Sequence, residues 1–241
     1  MLHKTRGIIL HSVAYSDTYK IIPVYTEEFG LISYLVANGR SKKSRNSQLL
    51  FQPLSVLDLE VEHYPLRNIH KIKEAKRHIL LPDLSLNPLK SSICLFLSEF
   101  IYNISKDVQS NCLLFDFILE SLQILDLLEV GIANFHLVFM IRVSRFLGFY
   151  PNVDTFVKGT HFDLQDGVFT RELKPFHLQL NVEESQVFFL LLKMNYQNMV
   201  KFRFSRHDRI QIINRILEFY RFHLTSLPEM KSLPVLQDIF N

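Results

Sequence analysis

Four cationic side chains fall within six consecutive positions of this 241-residue chain, at Arg40, Lys42, Lys43 and Arg45. The segment around them, NGRSKKSRNSQ, contains no acidic residue and no large apolar side chain. Guanidinium and ammonium groups on a polar loop can bind the phosphates of a polyanion without reading its sequence. The pattern therefore predicts either a phosphate-binding loop or a solvated hairpin tip between two strands.

A second group of cations lies near the other end of the chain. Arg206 and Arg209 are three residues apart and therefore share one face of a predicted helix. An amphipathic helix with a solvated basic side explains this group as well as phosphate binding does. The group comprises Lys201, Arg203, Arg206, Arg209, Arg215 and Arg221, of which Arg203, Arg206 and Arg209 are the candidate phosphate contacts.

The net charge of +3 is unevenly distributed. Residues 1–80 hold 12 Lys and Arg against 7 Asp and Glu, a net charge of +5. Residues 81–192 carry a net charge of −6 and residues 193–241 a net charge of +4. Basic ends around an acidic middle are compatible with nucleic-acid-binding faces, but charge alone favours a distribution that only keeps the chain soluble.

The motifs of common enzymes are absent from the sequence. There is no GxSxG, Walker or HExxH pattern, and the ten histidines are scattered without metal-ligand spacing. Cys94 and Cys112 form neither a disulfide framework nor a metal knuckle, and both are expected to be buried, reduced thiols. No catalytic residue, metal or cofactor is therefore predicted. No apolar run reaches the length of a membrane helix and no secretory signal is present, so a cytoplasmic protein is expected.

The elements that position these groups change type along the chain. Residues 1–80 contain five strand-like runs: RGIILHSV, YKIIPVYT, GLISYLVANG, the alternating LDLEVE and the stretch 69–75. Five short strands in this length suit a closed OB-type barrel, and an SH3-like barrel fits almost as well. Aromatic side chains of this region can stack on bases or fill the core, namely Tyr15, Tyr19, Tyr25, Phe29 and Tyr34.

Helical periodicity replaces the strands after residue 80. Asn87-Pro88 predicts a helix start, and further helices are expected over residues 111–129 and 133–147, and from Asn181 and Ser205 onward. Residues 149–180 are irregular, with a hairpin signal at 165–167. The predicted class is α+β, with an OB-type barrel at residues 1–80 and a helical domain at residues 81–241.

The stretch GIILHSVAYSDTYKIIPVYTEEFGLISYLVANGRSKKSRNSQLLFQPLSVLDLEV resembles the amino-terminal barrel of the bacterial RecO recombination mediators. The shared features are YTEEFG, the basic NGRSKKSR and a QPL that precedes the alternating strand. The resemblance continues through LFLSEFIYNI, RVSRFLGFYP and LPEMKSLPVLQDIF, and so covers nearly the whole chain.

The resemblance implies a non-enzymatic protein of DNA repair and homologous recombination. Such proteins bind single- and double-stranded DNA, anneal complementary strands and work with RecR to load the recombinase. They also contact the acidic, Phe-ending tail of the single-strand-binding protein, for which Arg142 and Arg145 are the candidate contacts here. A solvated helix face is the alternative for these two residues. A cytoplasmic, nucleoid-associated location is implied.

One departure from the family concerns zinc. Many members bind zinc through four cysteines after the LGY-P-like turn, whereas FYPNVDTFVKGTHFDLQDGVFTRELKPF contains none. A metal is therefore not expected, and the segment resembles a zinc finger without its ligands. The hypothesis is that phenyl side chains fill the space instead, at Phe149, Phe156, Phe162 and Phe169.

Two other classes of function stay open from the residues alone. One is an adapter, a barrel with helices that binds only proteins. The other is an RNA-binding barrel, because phosphate contacts and base stacking do not distinguish RNA from DNA.

Overall fold

A computed structural model describes residues 1–37, 49–64, 66–106 and 108–239. Residue contacts divide the chain into two compact units, Met1–Leu127 with Glu229–Leu236, and Leu128–Pro228 with Gln237–Asn241. The helices up to Leu127 thus belong to the unit that contains the barrel. The domain boundary expected between residues 80 and 81 stays a prediction.

The first unit begins with strands β1 (Leu2–Ile9), β2 (Val13–Ala14), β3 (Tyr19–Thr26), β4 (Gly30–Ala37), β5 (Val56–Glu62) and β6 (Ile69–Arg77). Strand β1 pairs antiparallel with both β3 and β5, β3 pairs with β4, and β5 pairs with β6. A parallel pairing of β4 with β6 closes the ring of five strands. Strand β2 pairs with β3 and is not part of this ring. This is a closed five-stranded barrel of the OB type, as predicted.

Alternation along the strands builds the barrel core. In β5, Leu57, Leu59 and Val61 are buried whereas Asp58 faces outward, because successive strand side chains point to opposite faces. Gly7 of β1 lies so close to this core that a Cβ atom would come within 2.7 Å of the Leu59 side chain. A larger residue at position 7 would therefore displace core side chains.

Three helices follow the barrel within the first unit: α1 (Asp83–Leu86), α2 (Pro88–Ile104) and α3 (Cys112–Leu127). The side chain of Asn87 caps α2 by accepting the Leu89 N–H at 3.0 Å, which confirms the predicted helix start. Cys94 is buried on α2, but Cys112 is exposed. The expectation of two buried thiols is wrong for Cys112, because this residue begins α3 and faces away from the packed side.

The carboxylate of Glu99 on α2 holds a distant part of the first unit. It accepts the backbone N–H groups of Lys231 at 2.9 Å and Ser232 at 2.8 Å, and also the Ser232 hydroxyl. These groups precede helix α7 (Leu233–Ile239), so Glu99 supplies the acceptor that the start of this helix lacks. Glu99 of the stretch LFLSEFIYNI therefore contacts Lys231 and Ser232 of the stretch LPEMKSLPVLQDIF, which lie 132 and 133 positions later in the chain.

The second unit contains helices α4 (Phe135–Phe146), α5 (Val182–Lys193) and α6 (Arg206–His223), with a hairpin of β7 (His161–Asp163) and β8 (Val168–Thr170). Capping boxes at Asn181 and Ser205 start α5 and α6, as predicted. The predicted hairpin is also confirmed, with Gly167 at a φ of 68° in its turn. No helix in the described part of the chain is long and apolar enough to cross a membrane.

Candidate nucleic-acid interface

The barrel carries a cleft beside the β4–β6 pairing, between the loops at residues 10–18 and 63–68. Its volume is about 190 Å³. In OB barrels the face of the second and third strands and the corresponding two loops bind oligonucleotides. The lining mixes aromatic, aliphatic and cationic side chains and comprises Tyr15, Leu35, Glu62, Tyr64, Arg67, Ile69, His70 and Lys71.

Tyr64 and Arg67 form a cationic and aromatic pair at the rim of this cleft. The guanidinium carbon of Arg67 lies 4.8 Å from the centre of the Tyr64 ring. The Arg67 N–H donates to the Tyr64 carbonyl at 3.0 Å, so a turn holds the two side chains together. Tyr64 is 40% exposed. The pair therefore brings together an exposed aromatic ring and an exposed cation, the two kinds of group with which proteins stack on bases and bind phosphates.

Buried His70 supports the loop from below. Its Nδ1 accepts the Tyr64 N–H at 3.3 Å, which requires a neutral ring with its hydrogen on Nε2. Burial lowers the pKa of His70 and so favours this neutral form. The ring stacks on His63 at 4.4 Å, and His63 stacks on Phe29 at 4.2 Å. This column of rings fixes the base of the loop that carries Tyr64.

The opposite side of the cleft is formed by the loop at residues 10–18. The hydroxyl of Ser16 accepts the Tyr19 N–H at 3.1 Å and orders the turn at this place. Tyr15 is 63% exposed and Tyr19 is also exposed. Tyr25 and Tyr34 are fully buried, which confirms for these two the alternative of a packing role and excludes base stacking. Tyr34 packs in the barrel core, whereas Tyr25 alternates with the core residue Val24 and stacks on Phe115 of α3 at 6.3 Å.

The cleft also contains charged groups of both signs. Glu62 is paired with Lys73 at 2.9 Å, which neutralises the one acid of the lining. Arg67 and Lys71 are exposed and supply the positive charge. Exposed cations beside exposed aromatic rings are the combination with which proteins hold single strands.

The loop cations Arg40, Lys42, Lys43 and Arg45 lie outside the described residues. The chain enters this loop from β4, which lines the cleft through Leu35, and leaves it at the 3-10 helix Leu49–Phe51. The phosphate-binding role of the four cations stays a prediction.

The second basic group lies at the start of α6 in the second unit. Arg203 is exposed, and Arg206 is exposed with Asp238 3.6 Å away. Arg209 differs, because its guanidinium donates to the Phe204 carbonyl at 2.5 Å. Burial lowers the pKa of Arg209, against the opposing effect of Asp208. Arg206 and Arg209 share a helix face, but Arg206 is exposed whereas Arg209 is half-buried, with its guanidinium on the Phe204 carbonyl.

Arg142 and Arg145 lie near the carboxyl end of α4. Arg142 is half-buried and donates to the Met194 carbonyl at 3.2 Å, while exposed Arg145 lies 4.0 Å from the ring centre of Tyr150. The Tyr150 hydroxyl in turn donates to the Leu192 carbonyl at 3.4 Å. These contacts connect the end of α4 with the end of α5. Another cation, Lys193, lies 5.3 Å from the Phe189 ring on α5.

A polar network holds the hairpin that resembles a zinc finger without ligands. Asp163 is fully buried and accepts the N–H groups of Gln165 and Asp166 at 3.0 Å, and the ring nitrogen of His177 at 2.9 Å. Burial raises the pKa of Asp163, but these hydrogen bonds outweigh it and hold the pKa below its usual range. Asp166 pairs with Lys174.

Three possible metal-ligand atoms in this network, from Asp163, Asp166 and His177, lie within 4.8 Å of one another. Their engagement with protein donors makes the network a poor fit for a zinc ion. Phenyl packing adds to the network, since Phe162 and Phe169 are buried with ring centres 4.8 Å apart. The likeness of this hairpin to a zinc finger stays a prediction.

A closed OB-type barrel with a cleft of aromatic and cationic side chains, followed by helices, defines a class of protein in which such barrels bind strands of nucleic acid. Two family patterns match the chain, described as Recombination protein O N terminal over residues 1–78 and Recombination protein O C terminal over residues 85–234. The chain therefore belongs to the RecO family.

Similar proteins span the whole chain. The DNA repair protein RecO of Azobacteroides pseudotrichonymphae genomovar. CFP2 is 48% identical over 241 residues, with 100% of both chains covered. The proteins of the same name from Phocaeicola vulgatus and Porphyromonas gingivalis are 41% and 34% identical, again with 100% of both chains covered. The recognition of the family from the sequence is confirmed.

Sequence reasoning did not select Tyr64, Arg67 or Lys71 as binding residues. The signal that identifies Tyr64 and Arg67 is positional, since segment 63–68 joins the fourth and fifth strands of the barrel, whereas Lys71 lies on the fifth strand itself. That segment is one of the two loops with which OB barrels bind their ligands, and it holds an aromatic residue and an Arg three positions apart.

Proposed function

We propose that this protein is a recombination mediator that binds single- and double-stranded DNA and anneals complementary strands. In this function it helps to load the recombinase onto DNA that is coated by single-strand-binding protein. The observation that carries the proposal is the placement of Arg67 over Tyr64 at the rim of the OB cleft, with Lys71 nearby. Membership of the RecO family supports it.

Annealing by such a surface requires no catalytic residue, metal or cofactor. Two complementary strands repel each other through their phosphates, and cations that bind both strands lower this repulsion. Stacking of bases on Tyr64 and Tyr15 holds a strand without preference for its sequence. The cations at positions 40, 42, 43 and 45 are proposed as further phosphate contacts.

The second unit adds a further set of proposed phosphate contacts. Arg203 and Arg206 are exposed, and the ion pair of Arg206 with Asp238 is a surface pair of little strength. Both can therefore bind phosphate. Arg209 has its guanidinium on the Phe204 carbonyl, so its proposed contribution to DNA binding is to hold the segment that precedes α6.

The partners proposed beside DNA are RecR and the acidic tail of the single-strand-binding protein. A peptide that is acidic and ends in Phe requires cations beside an apolar surface. Arg142 and Arg145 supply the cations at the end of α4, and the Tyr150 ring supplies apolar surface. Lys193 is a further cation on the adjoining end of α5. Because the proposed activity of the protein takes place on chromosomal DNA, its proposed location is the nucleoid in the cytoplasm.

Fluorescence anisotropy tests the DNA-binding part of the proposal. Labelled single-stranded DNA, duplex DNA and single-stranded RNA are titrated with the protein over a series of salt concentrations. Binding to DNA that weakens as salt rises is expected, because phosphate contacts release counterions. Absence of salt-dependent binding to all three would leave the protein-only adapter, and tighter binding to RNA than to DNA would favour an RNA-binding barrel.

Two further assays test the finer activities. Annealing of complementary labelled strands is expected to be faster with the protein than without it. The Arg145→Glu variant is expected to lose affinity for an acidic Phe-ending tail peptide, with Lys158→Glu, another exposed cation of the second unit, as the matched control. Equal peptide affinity of the wild type and Arg145→Glu would remove Arg145 from the tail site.

A further inference from the structure

Helix α3 is apolar on two of its faces. One face packs within the first unit, through buried side chains that include Phe115 and Leu122. On the other face Leu113 is 66%, Ile124 37% and Leu127 81% exposed. A surface helix ordinarily presents polar side chains on the face opposite its core, and a helix that is apolar all round is ordinarily buried. An exposed apolar face of this kind marks a site of interaction with another molecule.

The residues of the exposed face form one row along α3. Leu113, Glu120 and Leu127 follow one another at intervals of seven, and Ile124 lies four positions after Glu120. Half-buried Phe117 belongs to the same row. Alternating intervals of four and three are the heptad pattern with which two helices pack side by side. At about 1.5 Å per residue the row is about 21 Å long, so it fits a second helix that lies along α3.

The middle of this row carries a negative charge. Glu120 is exposed and forms no ion pair with any residue that the structure describes. The two other acids of α3 are engaged, since Asp116 pairs with Arg6 at 2.9 Å and the Asp126 carboxylate accepts the Asp83 N–H at 2.8 Å. The helix itself contains no Lys, Arg or His. The row is therefore an apolar surface with one uncompensated carboxylate at its centre.

This carboxylate determines which helix fits the row. Two copies of α3 would place Glu120 beside Glu120, both in a parallel pairing in register and in an antiparallel pairing about a two-fold axis. Like charges at the centre oppose such a pairing, whereas a central Lys or Arg on a different helix would match the carboxylate. We propose that the row is a docking surface for an amphipathic helix of another protein, with apolar side chains at heptad spacing and a cation that pairs with Glu120. The row comprises Leu113, Phe117, Glu120, Ile124 and Leu127.

A pair of designed peptides tests the charge and the row together. The first is a labelled helical peptide of three heptads, about 21 residues, with Leu at the core positions and one Lys at the central core position. The second carries Glu in place of this Lys. By anisotropy, the full chain is expected to bind the Lys peptide at least about 10-fold more tightly than the Glu peptide, because like charges brought together in an interface repel each other. The Glu120→Lys variant should reverse this order.

The Leu127→Ala variant removes one apolar contact of the row and should bind the Lys peptide at least about 10-fold more weakly. Leu190→Ala, at an exposed apolar side chain of the second unit, is the matched control and should bind the peptide as the wild type does. Both substitutions are at the surface, so the melting temperatures should stay close to that of the wild type.

Three results would overturn the inference. The first is a wild type that does not bind the Lys peptide, or a Glu120→Lys variant that keeps the wild-type order of the two peptides. The second is a wild-type dimer in sedimentation that Leu127→Ala dissociates, which would make the row a surface for self-association. The third is a loss of affinity for single-stranded DNA in Leu127→Ala, which would assign the row to DNA binding. The first two results would leave the proposed function intact.

Discussion

Separate replacement of Tyr64 and Arg67 by Ala distinguishes stacking from phosphate binding in the OB cleft. Removal of the Tyr64 ring should weaken single-strand binding by about 1–3 kcal/mol, the value for one base stacked on an aromatic side chain. The dependence of log affinity on log salt should not change, because no charge is lost. Removal of the Arg67 guanidinium should lower the slope of that dependence by about 0.7, which corresponds to one phosphate contact on a single strand.

The assay is anisotropy of a labelled single strand at several salt concentrations, with a thermal melt to verify folding. Lys4→Ala is the matched control, because Lys4 is an exposed cation in a different cleft of the same barrel, whose lining includes Asp58, Glu60 and Glu74. Its acidic surroundings repel phosphate, so its slope and affinity should match those of the wild type. Folded Tyr64 and Arg67 variants that both bind like the wild type would refute the cleft as the DNA-binding site.

Three other predictions concern the basic loop and the hydrogen-bonded carboxylates of Asp163 and Glu99. Replacing all four cations of residues 40–45 by Ser should flatten the single-strand salt slope by up to about 3, and an unchanged slope would make the loop a solvated tip. The Asp163→Asn variant replaces an accepting carboxylate oxygen by an NH2 group, which would face His177 and Gln179 as a donor. The free energy of unfolding, measured in urea, should fall by about 2–4 kcal/mol. The Asp166→Asn control weakens only half-exposed contacts, with Lys174 and with His177, and should cost much less. Folding lowers the pKa of Asp163, so its carboxylate contributes fully to the free energy of unfolding above about pH 3.9. This contribution is lost as the pH falls through the folded pKa. A loss of stability in Asp163→Asn that is as large at about pH 2 as at neutral pH would contradict this assignment. Glu99→Ala should speed hydrogen exchange and proteolysis at residues 229–236, whereas exposed Glu120→Ala should not.

Local sequence patterns determined most of the secondary structure. Alternation in LDLEVE, the caps at Asn87, Asn181 and Ser205, and the turn at Gly167 all predict the elements that the structure contains. These signals are local, because a cap or a turn satisfies backbone groups only a few residues away. The order of motifs along the chain also sufficed to recognise the family, since such a comparison does not require knowledge of contacts.

The candidate site depended on tertiary structure. Parallel pairing of β4 with β6 distinguishes the OB barrel from the SH3-like alternative and places Tyr64 and Arg67 beside Tyr15 in one cleft. Tyr25 lies on β3 and is covered by Phe115 of α3, whereas Tyr15 lies in the loop between β2 and β3 and is exposed. Both residues are tyrosines, so residue type alone does not distinguish the buried side chain from the exposed one.

The hydrogen-bond partners of the charged side chains likewise could not be predicted from the sequence. Arg209 looks like Arg206 in a helical pattern, yet its guanidinium is held by the Phe204 carbonyl. Glu99 looks like any acid on a helix, yet it binds the backbone of Ser232. The sequence by itself determined the elements and the family. Tertiary structure decided which charges remain available for DNA, because the energy of a charge depends on neighbours that only the folded chain brings within hydrogen-bonding distance.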